Sequence, residues 1–466
     1  MKIPAQHIHF IGIGGAGLSA IARVLLEQGA EVSGSDLVLS PVAEALARDG
    51  ARVFVGHRAE NVAGADMVIV SSAVLPENVE VQAARAAGIR VLKRPEFLGQ
   101  MMDGHLGVAV AGTHGKTTTT AMIASILVEA GRDPTFVVGG VIAGLGTNAR
   151  AGKGPLFVIE ADEYDRTFLS LTPRVAVVTI IEHDHPDCYP TFADFRAVFE
   201  EFAALLPCDG LLAAGWDDPV ARELGERRRA AGSAVTFFGL EKGAEWRAEE
   251  IRPNFAGGAD FLAVHGGEVL GLVRLRVPGA HNASNAMAAL AVADFLGVPF
   301  RAARIALTEF RGVGRRFEVK GDASGVVMVD DYAHHPTEIR VTLAAARQRF
   351  PRRPLWVVWQ PHTYSRTKTL MADFVQAFAV ADHVIVLPIY AARETDTLGV
   401  GSADVVAAMQ HPDVRCAGSL DEALVWLGTE VQPGDVVLTL GAGDGYRVGE
   451  WLLEVLGDRQ GGGTRR

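Results

Sequence analysis

Apolar positions in this chain come in short runs set between alanine-rich stretches of helical period. Ile8-His-Phe-Ile11 has the density of a buried strand, and Leu18, Ile21, Ala22 and Leu25 then recur at three- and four-residue spacing, which predicts strand, turn and helix in that order. A second strand follows over residues 30–36. The alternation resumes at Leu106-Gly-Val-Ala-Val-Ala111, with a helical pattern over 120–127 and strands near 136–138, 156–159, 175–181 and 235–238. It resumes again with strands at 325–329, 355–359, 384–387 and 436–440. Strands alternating with helices predict an α/β chain with parallel sheets throughout. Breaks in the pattern delimit three domains at residues 1–105, 106–312 and 313–466, the last ending from about 459 in a tail too poor in apolar residues to order itself.

Length and charge narrow the picture. At 466 residues the chain has room for about three domains of roughly 150 residues each. Its net charge of -11 argues against nucleic acid or an anionic membrane as partner, so anionic ligands must be held by local sites. Cys188, Cys208 and Cys416 show no C-x-x-C spacing, which supports neither a disulfide framework nor a thiolate zinc site and suits a reducing cytoplasm. No run reaches the roughly 18 apolar residues of a membrane span.

Chemistry concentrates where strands end. The first turn carries Gly12, Gly14, Gly15, Ala16 and Gly17, with the G-x-G-x-x-G spacing that brings backbone N–H groups at a helix start against a diphosphate. Asp36 ends the next strand, where a ribose-binding carboxylate would sit. A nicotinamide dinucleotide and a UDP-sugar satisfy this pattern equally, and a tight turn alone also needs the glycines. More specific is Gly112-Thr-His-Gly-Lys-Thr117, a phosphate loop whose lysine reaches β/γ-phosphates and whose threonine faces Mg²⁺. Val110 stands where longer loops of this kind have their first glycine, so a general nucleotide hydrolase is disfavoured. Glu160, at the end of the next strand, is the first choice for Mg²⁺, with at least one of Asp162 and Glu163 a solvated loop charge.

Three further clusters leave alternatives open. His183 and His185 suit part of a zinc site, His185 a second Mg²⁺, and both a purely structural loop. Asn282 or Ser284 fits a helix N-cap, while Asn282 and Asn285 fit an adenine edge with His281 stacked on the ring. Asp330–Glu338 and Gln360–Thr367 follow strands of the last unit, and Arg366 suits bidentate binding of a carboxylate or phosphate.

Taken in order, these stretches resemble the Mur ligases of bacterial cell-wall synthesis over nearly the whole chain. The series runs through Gly12–Ala22, Gly34-Ser-Asp36, Ser71-Ser-Ala-Val74, Gly112–Thr118, Glu160–Asp165, the Asp-His pair at 184–185, His281–Ala286, Gly314-Arg-Arg-Phe-Glu318, Asp330–Glu338 and Gln360–Thr367. The resemblance implies a UDP-binding Rossmann-like domain, a central P-loop-type ATPase domain and a C-terminal Rossmann-like domain that closes over both. It implies ATP-dependent amide formation: the lactyl carboxylate of UDP-N-acetylmuramate becomes an acyl phosphate, which the amine of L-alanine attacks. A cytoplasmic enzyme of small-molecule substrates follows, monomeric or weakly dimeric.

Carried over by residue, the resemblance makes Lys116 the phosphate clamp within a loop of Gly112, Thr113, His114, Gly115 and Thr118. It makes Thr117 and Glu160 ligands of Mg²⁺ or Mn²⁺, and His185 a ligand of a second ion. His281, Asn282 and Asn285 lie near adenine, and one or both of Arg315 and Arg316 contact the nucleotide with Asp331. Tyr332, His334, His362 and Arg366 face the muramyl substrate and the amino acid. Ser35, Asp36, His57, Ser71 and Ser72 join the opening glycines at UDP. Two departures stand out: Thr363 replaces an arginine common in relatives, and no lysine lies between Lys153 and Lys242 to be carbamylated as a metal bridge. Related ligases that join a whole peptide to UDP-N-acetylmuramate carry Glu-Pro-Arg where this chain has Gln360-Pro-His362.

Overall fold

A computed structural model describes residues 6–71 and 74–461. Ser72 therefore lies outside the described residues, as do 462–466 of the predicted tail; the last helix, Tyr446–Gly461, continues past position 459.

Three sheets carry the chain. The first has five parallel strands in the order Arg52–Val55, Glu31–Asp36, His7–Ile11, Met67–Val70, Arg90–Lys93. The chain winds outward from His7–Ile11 in one direction and then the other, so a crevice opens at its carboxyl end, beside the end of Met67–Val70. The second sheet centres on Leu106–Ala111, flanked by Pro173–Val178 and Leu156–Glu160 in parallel pairing. In the third, Val326–Asp331, Val436–Leu440, Leu355–Trp359, His383–Val386 and Val414–Cys416 run parallel in that order.

Parallel pairing does not extend throughout. In the second sheet Thr147–Arg150 pairs antiparallel with Thr135–Ile142, and Trp246–Pro253, Ala259–His265 and Glu268–Arg274 form an antiparallel meander at the other edge. Glu318–Ala323 likewise returns antiparallel on Val326–Asp331. Short turns explain the reversals: Gly257, Gly266 and Gly267 hold φ of 80°, 57° and 90°, and such tight connections leave no length for a crossover helix.

Packing divides the three units unequally. Phe97, Met101 and Met102, on the helix Arg94–Met102, share one apolar core with Phe157, Phe168, Phe199 and Phe202 of the central unit. The last unit has apolar cores of its own, built from residues of 323–456 alone. The first two units are therefore fused, whereas the third meets the second mainly through polar groups. At the fused seam a Cβ on Gly99 would stand 2.3 Å from the Ser170 carbonyl oxygen. Gly99→Ala is accordingly expected to destabilise the chain by about 1–3 kcal/mol. A thermal unfolding curve that superposes on the wild type would contradict this close approach.

Candidate functional site

The opening glycines close a cradle on the first crevice. Gly12, at φ 88°, donates its N–H to the Ser35 carbonyl at 2.8 Å, and a Cβ there would press on Ser71. Gly15 caps the helix Ala16–Glu27, leaving its first N–H groups turned to the crevice as in diphosphate sites. Asp36 Oδ2 accepts from the Gly14 N–H at 2.8 Å, so this carboxylate fastens the glycine turn. Arg94 was missed by the sequence reading. Its Nη1 would lie 2.2 Å from a Cβ on Gly17, and its Nη2 pairs with Asp162 at 2.7 Å. A guanidinium at the start of this helix adds positive charge where a diphosphate docks, and Gly17 lets it lie close against the turn. Its sole signal was an Arg-Pro pair at a helix start.

The phosphate loop joins Leu106–Ala111 to the helix Lys116–Glu129, whose cap Gly115 is left-handed at φ 80°. Lys116 Nζ donates to the carbonyls of Gly112 (2.6 Å) and Thr113 (3.2 Å) and to Glu163 Oε1 (2.8 Å). Burial disfavours the ammonium, but Glu163, with Glu160 and Asp162 behind it, more than offsets this and raises its pKa. Glu163 is 1% exposed, so it is no solvated loop charge. Glu160 Oε1 accepts from Thr117 Oγ1 at 2.9 Å and Oε2 from the Gly139 N–H at 2.7 Å.

A divalent cation fits this donor set. Thr117 and Glu160 present hard oxygens side by side, and Glu163 Oε2 is buried with no hydrogen-bond partner among the described residues. His185 Nε2 stands 3.5 Å from Glu163 Oε1, while His183 Nε2 is spent on the Tyr189 carbonyl at 2.9 Å. The two rings are thus turned to different partners. Among the described residues the one His/Cys/Asp/Glu group with metal-ligand spacing is His114, Glu182 and His335, and it contains neither.

A cavity of about 570 Å³ lies between the central and last units. Of the predicted nucleotide residues, His114, Gly115, Thr117, Thr118, His281, Asn282, Asn285, Arg316 and Asp331 line it; Gly112, Thr113, Lys116 and Arg315 do not. Thr113 instead ties the loop to Glu182, its Oγ1 donating to that carbonyl at 2.8 Å. The helix Ala280–Phe295 starts earlier than an Asn282 or Ser284 cap requires, with Gly279 as cap at φ 94°. Asn282 instead donates to the Pro278 carbonyl (2.7 Å) and accepts from Asn285 (3.2 Å).

The two neighbouring arginines separate. Arg316 crosses to Thr117 Oγ1 at 3.3 Å, whereas Arg315 is held within its own unit by Asp330 (3.1 Å) and the Gly441 carbonyl (2.7 Å). Burial lifts the Asp331 carboxyl to about 6 against the pull of Arg316.

His114 bridges the same two units, with Nε2 2.8 Å from Glu182 and Nδ1 3.2 Å from Glu338. Burial opposes its charge, but the two carboxylates raise its pKa from 6.5 to about 9. Stability supplied by charged His114 is thus complete below the unfolded value and lost as pH rises through about 9. Thermal stability is expected to decline across that window, and His114→Gln to flatten the decline. An unchanged pH slope in the variant would refute the linkage.

Beyond Glu163 the chain of contacts continues into a second cluster. His185, held at φ 55° and bonded through its N–H to Asp184, lies beside the buried Asp184–Arg366 pair, whose Nε–Oδ1 distance is 2.8 Å. Arg366 Nη1 is 3.0 Å from His362 Nδ1, and the His362 ring is 5.8 Å from that of His334, itself 5.3 Å from Tyr332. Burial holds His334 at about 3 and His362 at about 4, so both rings are uncharged near neutrality. Asp184 is pulled the other way: burial penalises its charge, yet Arg366 keeps it well below the usual carboxylate range.

Comparison with known proteins gives the family. The chain matches the Mur ligase catalytic domain over residues 7–106, the Mur ligase middle domain over 110–293 and the Mur ligase glutamate ligase domain over 315–443. The chain belongs to the Mur ligase family. It is 46% identical to the UDP-N-acetylmuramate–L-alanine ligase of Desulforapulum autotrophicum, covering 97% of this chain and 98% of that one. It is equally identical, at 46%, to the ligase of that name from Geobacter sp. strain M21, over 96% and 97%. Among solved structures, the UDP-N-acetylmuramate-alanine ligase of Thermotoga maritima superposes with a TM-score of 0.82 at 29% identity, over 98% and 99%. A murein peptide ligase from Psychrobacter arcticus gives 0.72 at 26%, over 97% and 99%.

As a Mur ligase the chain is an ATP-dependent ligase with three sheet-containing domains. Among its described residues no helix is long and apolar enough to cross a membrane. At its departure from the family pattern, Thr363 takes φ 64°, costly for a β-branched residue, and caps the helix Tyr364–Thr369. The adjoining loop, fastened to that helix by Glu394, sends Arg393 across the cleft to within 5.2 Å of the Tyr164 ring.

Proposed function

We propose that this Mur ligase joins L-alanine to the lactyl carboxylate of UDP-N-acetylmuramate, converting ATP to ADP and phosphate and releasing UDP-N-acetylmuramoyl-L-alanine. One observation carries the reading: an unbroken series of contacts runs from Lys116 through Glu163, His185 and Asp184 to Arg366. Phosphoryl chemistry and carboxylate recognition thereby meet across two domains. The names of the full-length relatives support the same substrates. Three free cysteines and an acidic chain suit a cytoplasmic enzyme, monomeric or weakly dimeric.

Each residue then has a task. The cradle of Gly12, Gly14 and Gly15 takes the diphosphate, and Asn282 and Asn285 take adenine beside the phosphate loop. The lactyl carboxylate attacks the γ-phosphorus, ADP leaves, and the acyl phosphate remains in the cleft. Lys116 turns from Glu163 to the phosphoryl oxygens, because such a transfer needs cationic neutralisation rather than a protein nucleophile. Thr117 and Glu160 would hold one Mg²⁺ or Mn²⁺ and His185 a second, and such ions would supply positive charge against the phosphates.

Arg366 receives the carboxylate of the amino acid. His334 donates Nδ1–H to the Tyr332 carbonyl at 2.9 Å, so its Nε2 keeps a lone pair that accepts a hydrogen bond from the attacking amine, whose proton leaves with the phosphate. The tetrahedral adduct then collapses to the amide and expels phosphate.

Phosphate release with UDP-N-acetylmuramate, ATP and, in turn, L-alanine, glycine, L-serine or the tripeptide tests the assignment. L-alanine is expected to react fastest, with glycine and serine as weaker substrates, since one methyl group is discriminated only modestly. Preference for the tripeptide would overturn it in favour of a peptide-recycling ligase.

A further inference from the structure

The first domain buries a carboxylate that the reaction does not use. Glu80, in the first turn of the helix Val79–Ala86, is 0% exposed. Its Oε1 accepts from Asn61 Nδ2 at 2.6 Å and from the Arg58 N–H at 3.2 Å. Its Oε2 accepts from Ser35 Oγ and lies 3.2 Å from His57 Nδ1 and 3.8 Å from His9 Nε2. Helix capping does not require this arrangement, because Asn78 already caps the helix by accepting from the Glu80 N–H at 2.9 Å. A buried anion is costly unless its donors are arranged for it. Here burial penalises the charge, and the nearby His9 ring with the donors Ser35, Asn61 and Arg58 outweighs that and brings the carboxyl to about 2.

The direction of these hydrogen bonds settles which nitrogen of His57 must carry a hydrogen. Ser35 has one hydroxyl hydrogen and gives it to Glu80, so toward His57 Nδ1, 2.9 Å away, its oxygen has only lone pairs. Nδ1 thus faces two acceptors and must carry a hydrogen. In the neutral ring Nε2 is then an acceptor. That nitrogen has no hydrogen-bond partner among the described residues, and the His57 side chain is 17% exposed. Ser35 also holds the glycine turn, through its carbonyl to the Gly12 N–H.

We infer that Glu80 is a positioning residue for the nucleobase of the substrate: through Ser35 and directly, it fixes His57 with its hydrogen on Nδ1, so that Nε2 accepts from a ligand N–H. Uracil offers such a donor at N3; cytosine offers a lone pair there and binds less well. The inference rests on the proposed placement of His57 and Ser35 at the UDP site.

Glu80→Gln tests it, since the amide also donates and no longer enforces one tautomer. KM for UDP-N-acetylmuramate is expected to rise about tenfold, the equivalent of one hydrogen bond, with kcat and the KM for ATP within about twofold of wild type. The preference for UDP over CDP as competitive inhibitors should shrink by a similar factor. His57→Ala should show the same loss, and the double variant no more than His57→Ala alone. If His57→Ala raises KM while Glu80→Gln leaves both KM and the UDP preference intact, the positioning role is overturned. If His57→Ala is itself silent, the site reading beneath it fails instead. Should Glu80→Gln not fold, ¹⁵N chemical shifts of His57 in the wild type decide, an Nε2–H tautomer refuting the inference.

Discussion

Lys116→Ala is expected to lower turnover by at least about a hundredfold, roughly 2.7 kcal/mol of barrier at 1.36 kcal/mol per factor of ten. The ammonium sits at the start of the helix that closes the phosphate loop, and it hydrogen-bonds to two carbonyls of that loop and to Glu163. A transferring phosphoryl group spreads negative charge over its oxygens, and a group fixed in advance beside them stabilises that charge without reorganisation. The loss should fall on kcat more than on the KM for UDP-N-acetylmuramate, whose cradle lies in another domain. Removing Lys116 also leaves Glu163 buried without its cation, so the variant should melt earlier than wild type. Lys116→Ala with Glu163→Gln should recover that stability and none of the activity. Near-normal turnover in Lys116→Ala would sink the assignment of this loop.

The next largest effect is expected at Arg366. Its pair with Asp184 is about 5% exposed on both sides and joins the last domain to the central one. Breaking a buried pair from one side leaves an uncompensated charge and costs about 3–5 kcal/mol. Arg366→Ala should therefore lower both stability and kcat/KM, the latter by about a hundredfold or more if the guanidinium also receives the carboxylate of the amino acid. Arg366→Ala with Asp184→Asn separates the two roles. Stability should return while the KM for L-alanine stays high. Full recovery of activity in the double variant would show that Arg366 acts only as an interdomain tie.

The phosphate loop, the glycine cradle and Glu160 were legible in the sequence because each is local. A left-handed Gly115 before a helix, or a carboxylate at the end of a buried strand, is set by neighbours in the chain. Arg94 and Glu163 were not legible in the same way. The first acts through a pairing with Asp162, 68 positions away, and the second was one of two acids of which at least one read as solvated, although it lies almost fully buried. The antiparallel meander at residues 246–274 was missed because its strands are polar on one face and no helix alternates with them.

By itself the sequence determined an α/β chain of three sheet-bearing units, the elements that carry its motifs, and its membership among Mur ligases, because backbone geometry at strand ends and helix starts depends on residues a few positions apart. Only the tertiary structure decided which of two adjacent arginines meets Thr117, that Glu163 links Lys116 to His185, and that Asp184 pairs with Arg366. Those contacts join residues as much as 182 and 199 positions apart. Such pairings follow from how one domain seats against another, and no local pattern of apolar and polar residues encodes that.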